Sequence, residues 1–177
     1  MSVSEPDILL IDEFLSNSAL LFDDLRTSVD WDTSMAARHT ASYGEPYNYS
    51  QMTYEARPMP PSLAPVAERL EERLKVTFNN CLLNFYLSGE STMGFHSDDT
   101  SNLQPGTGVA IVSLGSQRGI TYRNKADKDV RHTFPLAPGS LLYMDSEVQD
   151  HWTHAIRKES DAGPRISLTW RAFRKAG

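Results

Sequence analysis

Arg165-Ile166-Ser167-Leu168-Thr169-Trp170-Arg171 is the stretch on which the reading of this chain turns. Side chains of a strand alternate between its faces. Arg165, Ser167, Thr169 and Arg171 would therefore share one side, and Ile166, Leu168, Trp170 and Ala172 the other. Taken alone, such a run reads as a surface strand whose polar side meets water. Two arginines on that side admit a second job, because planar, permanently charged donors match the carboxylates of a diacid.

Working back from this run, residues from 77 onward alternate between short apolar segments and turns. Strands are predicted at 80–87, 92–97, 108–114, 119–124, 131–135, 140–144, 151–156 and 165–172, a spacing that suits a sandwich or jelly roll. In the first of them Leu82, Asn84 and Tyr86 point one way while Leu83 and Phe85 pack into the other layer. Nearer the N-terminus, Ile8-Leu9-Leu10-Ile11 reads as a short buried strand. Ser16-Asn17-Ser18 caps a helix running to about Val29, with Leu20, Leu21 and Leu25 as its apolar side. A second helix starts near Ser62, with Leu63, Val66, Leu70 and Leu74 at helical spacing and Glu68, Glu71 and Glu72 outward. Residues 32–61 carry four tyrosines and little periodicity. That is long for a plain connector and reads as a functional lid.

The chain has 177 residues, 40% hydrophobic and 23% charged, which suits one soluble domain over 1–177. The start, with Glu5, Asp7 and Asp12, does not look like a signal peptide, and no apolar stretch approaches membrane-spanning length. Cys81 is the single cysteine. An internal disulfide is thereby excluded; a free buried thiol and a cytoplasmic setting are expected. A net charge of −6 argues against a protein that simply coats nucleic acid. The charge is uneven: residues 1–114 hold 6 Lys/Arg against 16 Asp/Glu, and residues 115–177 hold 11 against 7. Arg118, Arg123, Lys125, Lys128 and Arg131 cluster with only Asp127 and Asp129 among them. This reads either as a phosphate-contacting patch or as a solvated hairpin tip.

The candidate chemistry lies in His96-Ser97-Asp98 and in His154, 56 residues beyond Asp98. Two imidazoles and one carboxylate can hold one face of Fe(II) and leave the other open. His-x-Asp puts its two ligands on one side of an extended segment. Zinc is the rival metal for such a set. The zincin motif and any cysteine pair are absent, and the two arginines tip the choice to iron. His39, His132 and His151 read as ordinary surface or core histidines.

Together these stretches resemble the AlkB-like Fe(II)/2-oxoglutarate dioxygenases. The resemblance is carried by Asn84-Phe85-Tyr86, His96-Ser97-Asp98, Val112-Ser113-Leu114-Gly115, Pro135-Leu136-Ala137-Pro138-Gly139-Ser140-Leu141-Leu142, His154 and Arg165 through Arg171. They fall in family order over residues 81–173. Arg38, Ala41-Ser42-Tyr43-Gly44 and Tyr47-Asn48-Tyr49 extend it toward Trp31. It implies a mainly β, α+β protein with a double-stranded β-helix (jelly-roll) core backed by the N-terminal helices.

It also implies Fe(II) at His96, Asp98 and His154, with 2-oxoglutarate and O2 as co-substrates. Arg165, helped by Tyr86, would grip the far carboxylate, and Arg171, Thr169 and Asn84 would surround the keto-acid end. Iron with one carboxylate carries plus one; the diacid and two arginines cancel, so a buried pocket tolerates the assembly.

The implied activity is oxidative demethylation of alkylated nucleobases in single-stranded DNA or RNA, by a monomer with no membrane partner. Arg38 to Tyr54 resembles the family's nucleotide-recognition lid, with Arg38, Tyr43, Tyr47 and Tyr49 as substrate contacts. Its tyrosines, Tyr54 included, either cover an extruded base or pack the lid onto the barrel. The hairpin around 118–131 resembles the family region that meets the nucleic-acid backbone. Thr100 stands where nucleobase-repairing relatives carry a carboxylate, Ser167 where they usually carry asparagine, and no apolar finger for prying open a duplex is evident. The same chemistry on a metabolite, a natural-product intermediate or a protein side chain is the second reading. A non-enzymatic jelly-roll binding module is the third.

Overall fold

Strands with one apolar and one polar face stack their apolar faces and satisfy their backbone groups by pairing, and this chain does so in two sheets. The computed structural model describes residues 4–49 and 52–175, with the side chains of Asn48, Tyr49 and Met52 outside that description. In chain order the elements are β1 (Ile8–Ile11), α1 (Ser18–Ser28), β2 (His39–Gly44), β3 (Tyr47–Tyr49), β4 (Met52–Tyr54), α2 (Ala64–Leu74), β5 (Asn80–Tyr86) and β6 (Met93–His96). They continue with β7 (Val109–Gly115), β8 (Arg118–Asn124), β9 (Arg131–Leu136), β10 (Leu141–Met144), α3 (Ser146–His151), β11 (Trp152–Ile156) and β12 (Arg165–Arg171).

The major sheet has six strands in the order β1-β10-β7-β12-β5-β2, and the minor sheet four in the order β6-β11-β8-β9. β12 runs antiparallel between β5 and β7, with Arg165 opposite Tyr86 and Ser167 opposite Asn84. All seven of its residues are buried. The strand is thus central, and its polar face looks into the molecule instead of into water. The eight strands predicted from 80 onward all form, within two residues at each end.

Two apolar layers flank the major sheet. Leu83, Phe85, Ile166, Leu168 and Trp170 pack outward against Leu21, Phe22 and Leu25 of α1 and Val66 and Leu70 of α2. Inward, Tyr86, Ile111, Leu142 and Met144 meet Ile120, Tyr122, Trp152 and Ile156 of the minor sheet. Burying each such side chain contributes roughly 1.5–3 kcal/mol, so these layers dominate stability. Cys81 lies in the outer layer, free and fully buried, and burial pushes its thiol well above the ordinary range.

Three local expectations are corrected. Leu20 is 75% exposed, and Phe22 takes its place in the apolar stripe of α1. Asn17 is the N-cap residue but makes no side-chain capping bond. The stretch read as a lid also divides. Its residues 39–44 are the edge strand β2 of the major sheet, and only β3 and β4 form a separate two-stranded hairpin. Gly115 closes the β7–β8 turn at φ +83°, where a Cβ would sit 2.6 Å from the Pro164 carbonyl oxygen, so only glycine fits there.

Candidate active site

The polar face of β12 lines a cavity between the two sheets. Arg165, Ser167, Thr169 and Arg171 share it with Asn84 and Tyr86 of β5, His96 of β6, Asp98, and His154 of β11. Met93, Ile111, Ile120, Leu136 and Ile156 supply apolar walls. Alternation along β5 and β12 is what sends these polar groups inward while their neighbours fill the helix-side core.

At one end the three candidate metal ligands converge. β6 pairs with β11 so that His96 and His154 are direct cross-strand neighbours, their ring centroids 4.4 Å apart. Asp98 follows β6, and the ligating atoms of His96, Asp98 and His154 all lie within 4.8 Å of one another. His96 Nδ1 lies 2.8 Å from the Gly94 carbonyl oxygen, which can only accept, so the proton is on Nδ1 and the Nε2 lone pair is left for a metal. His96 Nε2 is in turn 3.5 Å from Asp98 Oδ1.

Gln149 of α3, 3% exposed, accepts from the Asp98 backbone N–H at 2.8 Å, and its amide reaches Asp98 Oδ2 at 3.4 Å. Arg171 Nη2 sits 3.3 Å from Asp98 Oδ1. Burial alone would raise the Asp98 carboxyl, but Arg171 and the two imidazoles outweigh it and hold the group well below the usual carboxylate range. Sequence reasoning gave no sign of Gln149, because α3 is too short to show periodicity.

His154 is 4% exposed, and its Nδ1 has no hydrogen-bond partner. Burial pulls its imidazole down from the ordinary 6.5 to about 4; Asp98 opposes the shift, while His96 and Arg171 add to it. The ring is therefore neutral at physiological pH, the form that ligates metal. Between about pH 4 and 6.5 the unfolded chain binds a proton that the fold refuses, so stability is full above that window and falls as pH drops through it. Asp98 contributes nothing in this window, since its stabilisation is lost only at lower pH. The metal-free protein should accordingly lose up to about 3 kcal/mol between pH 7 and 4 through His154. Thermal melts of wild type and His154→Gln across that range check this, the variant showing the shallower slope.

At the other end Arg165 is 1% exposed. Its Nη2 donates to Ser113 Oγ at 2.9 Å, whereas Nε and Nη1 are buried without an acceptor. Tyr86 lies beneath it, ring centroid 5.1 Å from the guanidinium carbon. A buried cation with two unmet donors needs an anion. The residues therefore fit both absent groups: a lone-pair set for Fe(II) at one end, a carboxylate acceptor at the other.

Comparison with known proteins bears on the same residues. The 2OG-Fe(II) oxygenase superfamily profile matches residues 13–171. Alpha-ketoglutarate-dependent dioxygenase alkB homolog 3 of Mus musculus is 33% identical over 89% of this chain and 62% of its own length. DNA oxidative demethylase ALKBH2 of Homo sapiens is 32% identical over 85% of this chain and 67% of its own. The chain belongs to the AlkB-like 2OG-Fe(II) oxygenases. The solved structure of OsALKBH1 shares the fold, with a TM-score of 0.67 over 96% of this chain and all of that one, at 17% identity. The chain spans 62%, 55% and 61% of the first three curated relatives it matches.

Beside the metal end of this AlkB-like site a wide opening is lined by Met35, Arg38, Tyr47, Gly94, Phe95 and Ser97. Arg38 Nε donates to Asn84 Oδ1 at 2.8 Å and Nη1 to the Thr92 carbonyl at 3.1 Å, so it ties the opening to the cavity. Tyr47 stacks on Phe173 at 5.4 Å, with the Arg171 guanidinium 4.7 Å from its centroid. Tyr43 is not brought here. It packs against the helix-side core under the Arg57 guanidinium, because β2 turns Ala41 and Tyr43 outward and Thr40 and Ser42 inward. Tyr54 bonds its hydroxyl to Thr40. The Tyr49 side chain lies outside the described residues.

Arg118 leaves the expected basic patch altogether, being 0% exposed. The guanidiniums of Arg123, Arg131 and Arg157 instead surround the Phe95 ring at 3.9, 5.6 and 5.8 Å. Phe95 alternates with His96 on β6, so the metal ligand faces the cavity and Phe95 the opposite side.

Proposed function

We propose that this chain is an Fe(II)- and 2-oxoglutarate-dependent dioxygenase that oxidatively demethylates alkylated nucleobases in single-stranded DNA or RNA. One observation carries the reading: three metal-ligating atoms within 4.8 Å share a cavity with a buried arginine that has two unmet donors. His96, Asp98 and His154 would hold Fe(II). Arg165 with Tyr86 would bind the far carboxylate of 2-oxoglutarate, and Arg171, Thr169 and Asn84 the keto-acid end. Iron, 2-oxoglutarate and O2 supply decarboxylation to succinate and CO2 coupled to hydroxylation of a substrate C–H bond. A hydroxylated N-methyl group is a hemiaminal, which leaves as formaldehyde and returns the base N–H.

The protein's own part is placement and exclusion. Gln149 orients Asp98, Arg171 keeps it ionised, and Ile120, Leu136 and Ile156 keep water from the diacid's carbon chain. Arg38 and Tyr47 would meet the base at the opening, and Arg123, Arg131 and Arg157 around Phe95 would attract the strand's phosphates. The printed name of ALKBH2, DNA oxidative demethylase, supports the substrate class. A single buried thiol is consistent with the cytoplasm, and no helix among the described residues is long and apolar enough to cross a membrane.

Thr100 favours a second substrate class for the same chemistry, a metabolite, natural-product intermediate or protein side chain, because it brings no charge to a cationic methylated base. Succinate formation decides between them. With Fe(II), ascorbate and 2-oxoglutarate, an oligonucleotide bearing 1-methyladenine and 3-methylcytosine should stimulate succinate release and its unmethylated twin should not. Equal basal rates with both would move the substrate to the second class.

A further inference from the structure

Arg118 is buried and stands outside the lining of the iron and 2-oxoglutarate cavity. It opens β8 on the face that carries Ile120 and Tyr122 into the inter-sheet core, and it is 0% exposed. Its Nη2 donates to the Ser91 and Arg157 carbonyls at 2.9 and 2.7 Å, and Nη1 to the Ser88 carbonyl at 3.3 Å. Those bonds satisfy donors but leave the charge. Among the described residues its carboxylate partner is Glu159, whose Oε2 is 3.6 Å from Nε and whose side chain is 42% exposed. Water screens that partner, so the positive charge is only partly neutralised where it sits.

The same tyrosine ring lies against both buried guanidiniums: Tyr86 is 5.6 Å from Arg118 and 5.1 Å from Arg165. Burial pulls the Arg165 guanidinium down from its usual value; Tyr86 partly offsets this, and Arg118 pushes the same way as burial. Two like charges in an apolar setting repel, and an anion bound between or beside them relieves the repulsion. We propose that Arg118 is a positioning residue for the far carboxylate of a diacid co-substrate: it braces the Tyr86 ring against Arg165 and adds a second positive charge behind it, favouring a dicarboxylate over a ligand that has only the metal-chelating end. This rests on the 2-oxoglutarate reading.

Calorimetric titration of the Mn(II)-loaded protein with 2-oxoglutarate and with pyruvate, which has the 2-oxo acid chelating end and no far carboxylate, tests it. Arg118→Met should weaken 2-oxoglutarate about tenfold or more and leave pyruvate within about twofold. Glu159→Gln keeps an acceptor for the Gly119 N–H, now bonded to Oε1 at 2.9 Å, and removes the opposing charge. It should tighten 2-oxoglutarate by about two- to threefold, a sign that a purely structural Arg118 would not produce. Equal losses for both ligands in Arg118→Met, or an unchanged 2-oxoglutarate affinity, would overturn the inference while sparing the enzyme reading. Should Arg118→Met fail to fold, Glu159→Gln decides, and an unchanged or weakened affinity overturns the inference. A wild type that binds no 2-oxoglutarate overturns the enzyme reading and the inference with it.

Discussion

Asp98→Ala should abolish succinate formation and weaken Fe(II) binding by more than about 100-fold, since even residues that only orient metal ligands are worth 10–100-fold. Asp98 supplies the sole anionic ligand of the three, and its side chain is 5% exposed. Its loss leaves two imidazoles and no anionic ligand beside the buried Arg171 cation, which repels the metal. Removing one partner of this buried ion pair should also cost on the order of 3 kcal/mol of stability. Anaerobic Fe(II) titration, succinate release and a thermal melt read the three effects separately. Asp98→Asn keeps the shape and a donor–acceptor side chain for Gln149, so it should retain more stability than alanine yet remain inactive. Turnover persisting in Asp98→Ala would mean that the triad is misassigned.

Arg165→Ala should weaken 2-oxoglutarate binding by about 2–4 kcal/mol, the range for truncating one partner of a buried charged hydrogen bond. That corresponds to roughly 30- to 1000-fold in Kd. Without the diacid, however, Arg165 carries two buried donors with no acceptor. Its removal therefore takes a burden from the empty protein, and Arg165→Met, which fills much of the volume, should melt close to wild type. Lysine is not a substitute, because a point charge lacks the planar fork that matches a carboxylate. Calorimetry with 2-oxoglutarate, paired with melts of the empty proteins, tests both halves. An unchanged affinity would remove Arg165 from the site.

Period-two alternation made β5 and β12 legible, and with them the inward set Asn84, Tyr86, Arg165, Thr169 and Arg171. The triad was legible too, because His-x-Asp sets two ligands on one face and His154 stands in a recognisable strand. β2 was not. His39-Thr40-Ala41-Ser42-Tyr43-Gly44 alternates only weakly, with small Ala41 and amphipathic Tyr43 as its whole apolar side and the polar pair Thr40 and Ser42, which bond to Tyr54 and Asn80, as its inward face. Reading these residues with the rest of 32–61 is also what places Tyr43 among the expected substrate contacts, whereas β2 pairs with β5 and turns Tyr43 to the helix side.

The sequence by itself determined which segments are strands and which side chains share a face, because those depend on neighbours two to four positions away. Only the tertiary structure decided where each charge lives. Arg118 and Arg123 stand in one strand, five positions apart, and the linear charge pattern treats them alike. The first is buried by carbonyls from Ser88, Ser91 and Arg157, while the second lies on Phe95 at the outer side of β6. Burial of a charge is set by what folds over it from distant segments, and no local periodicity encodes that.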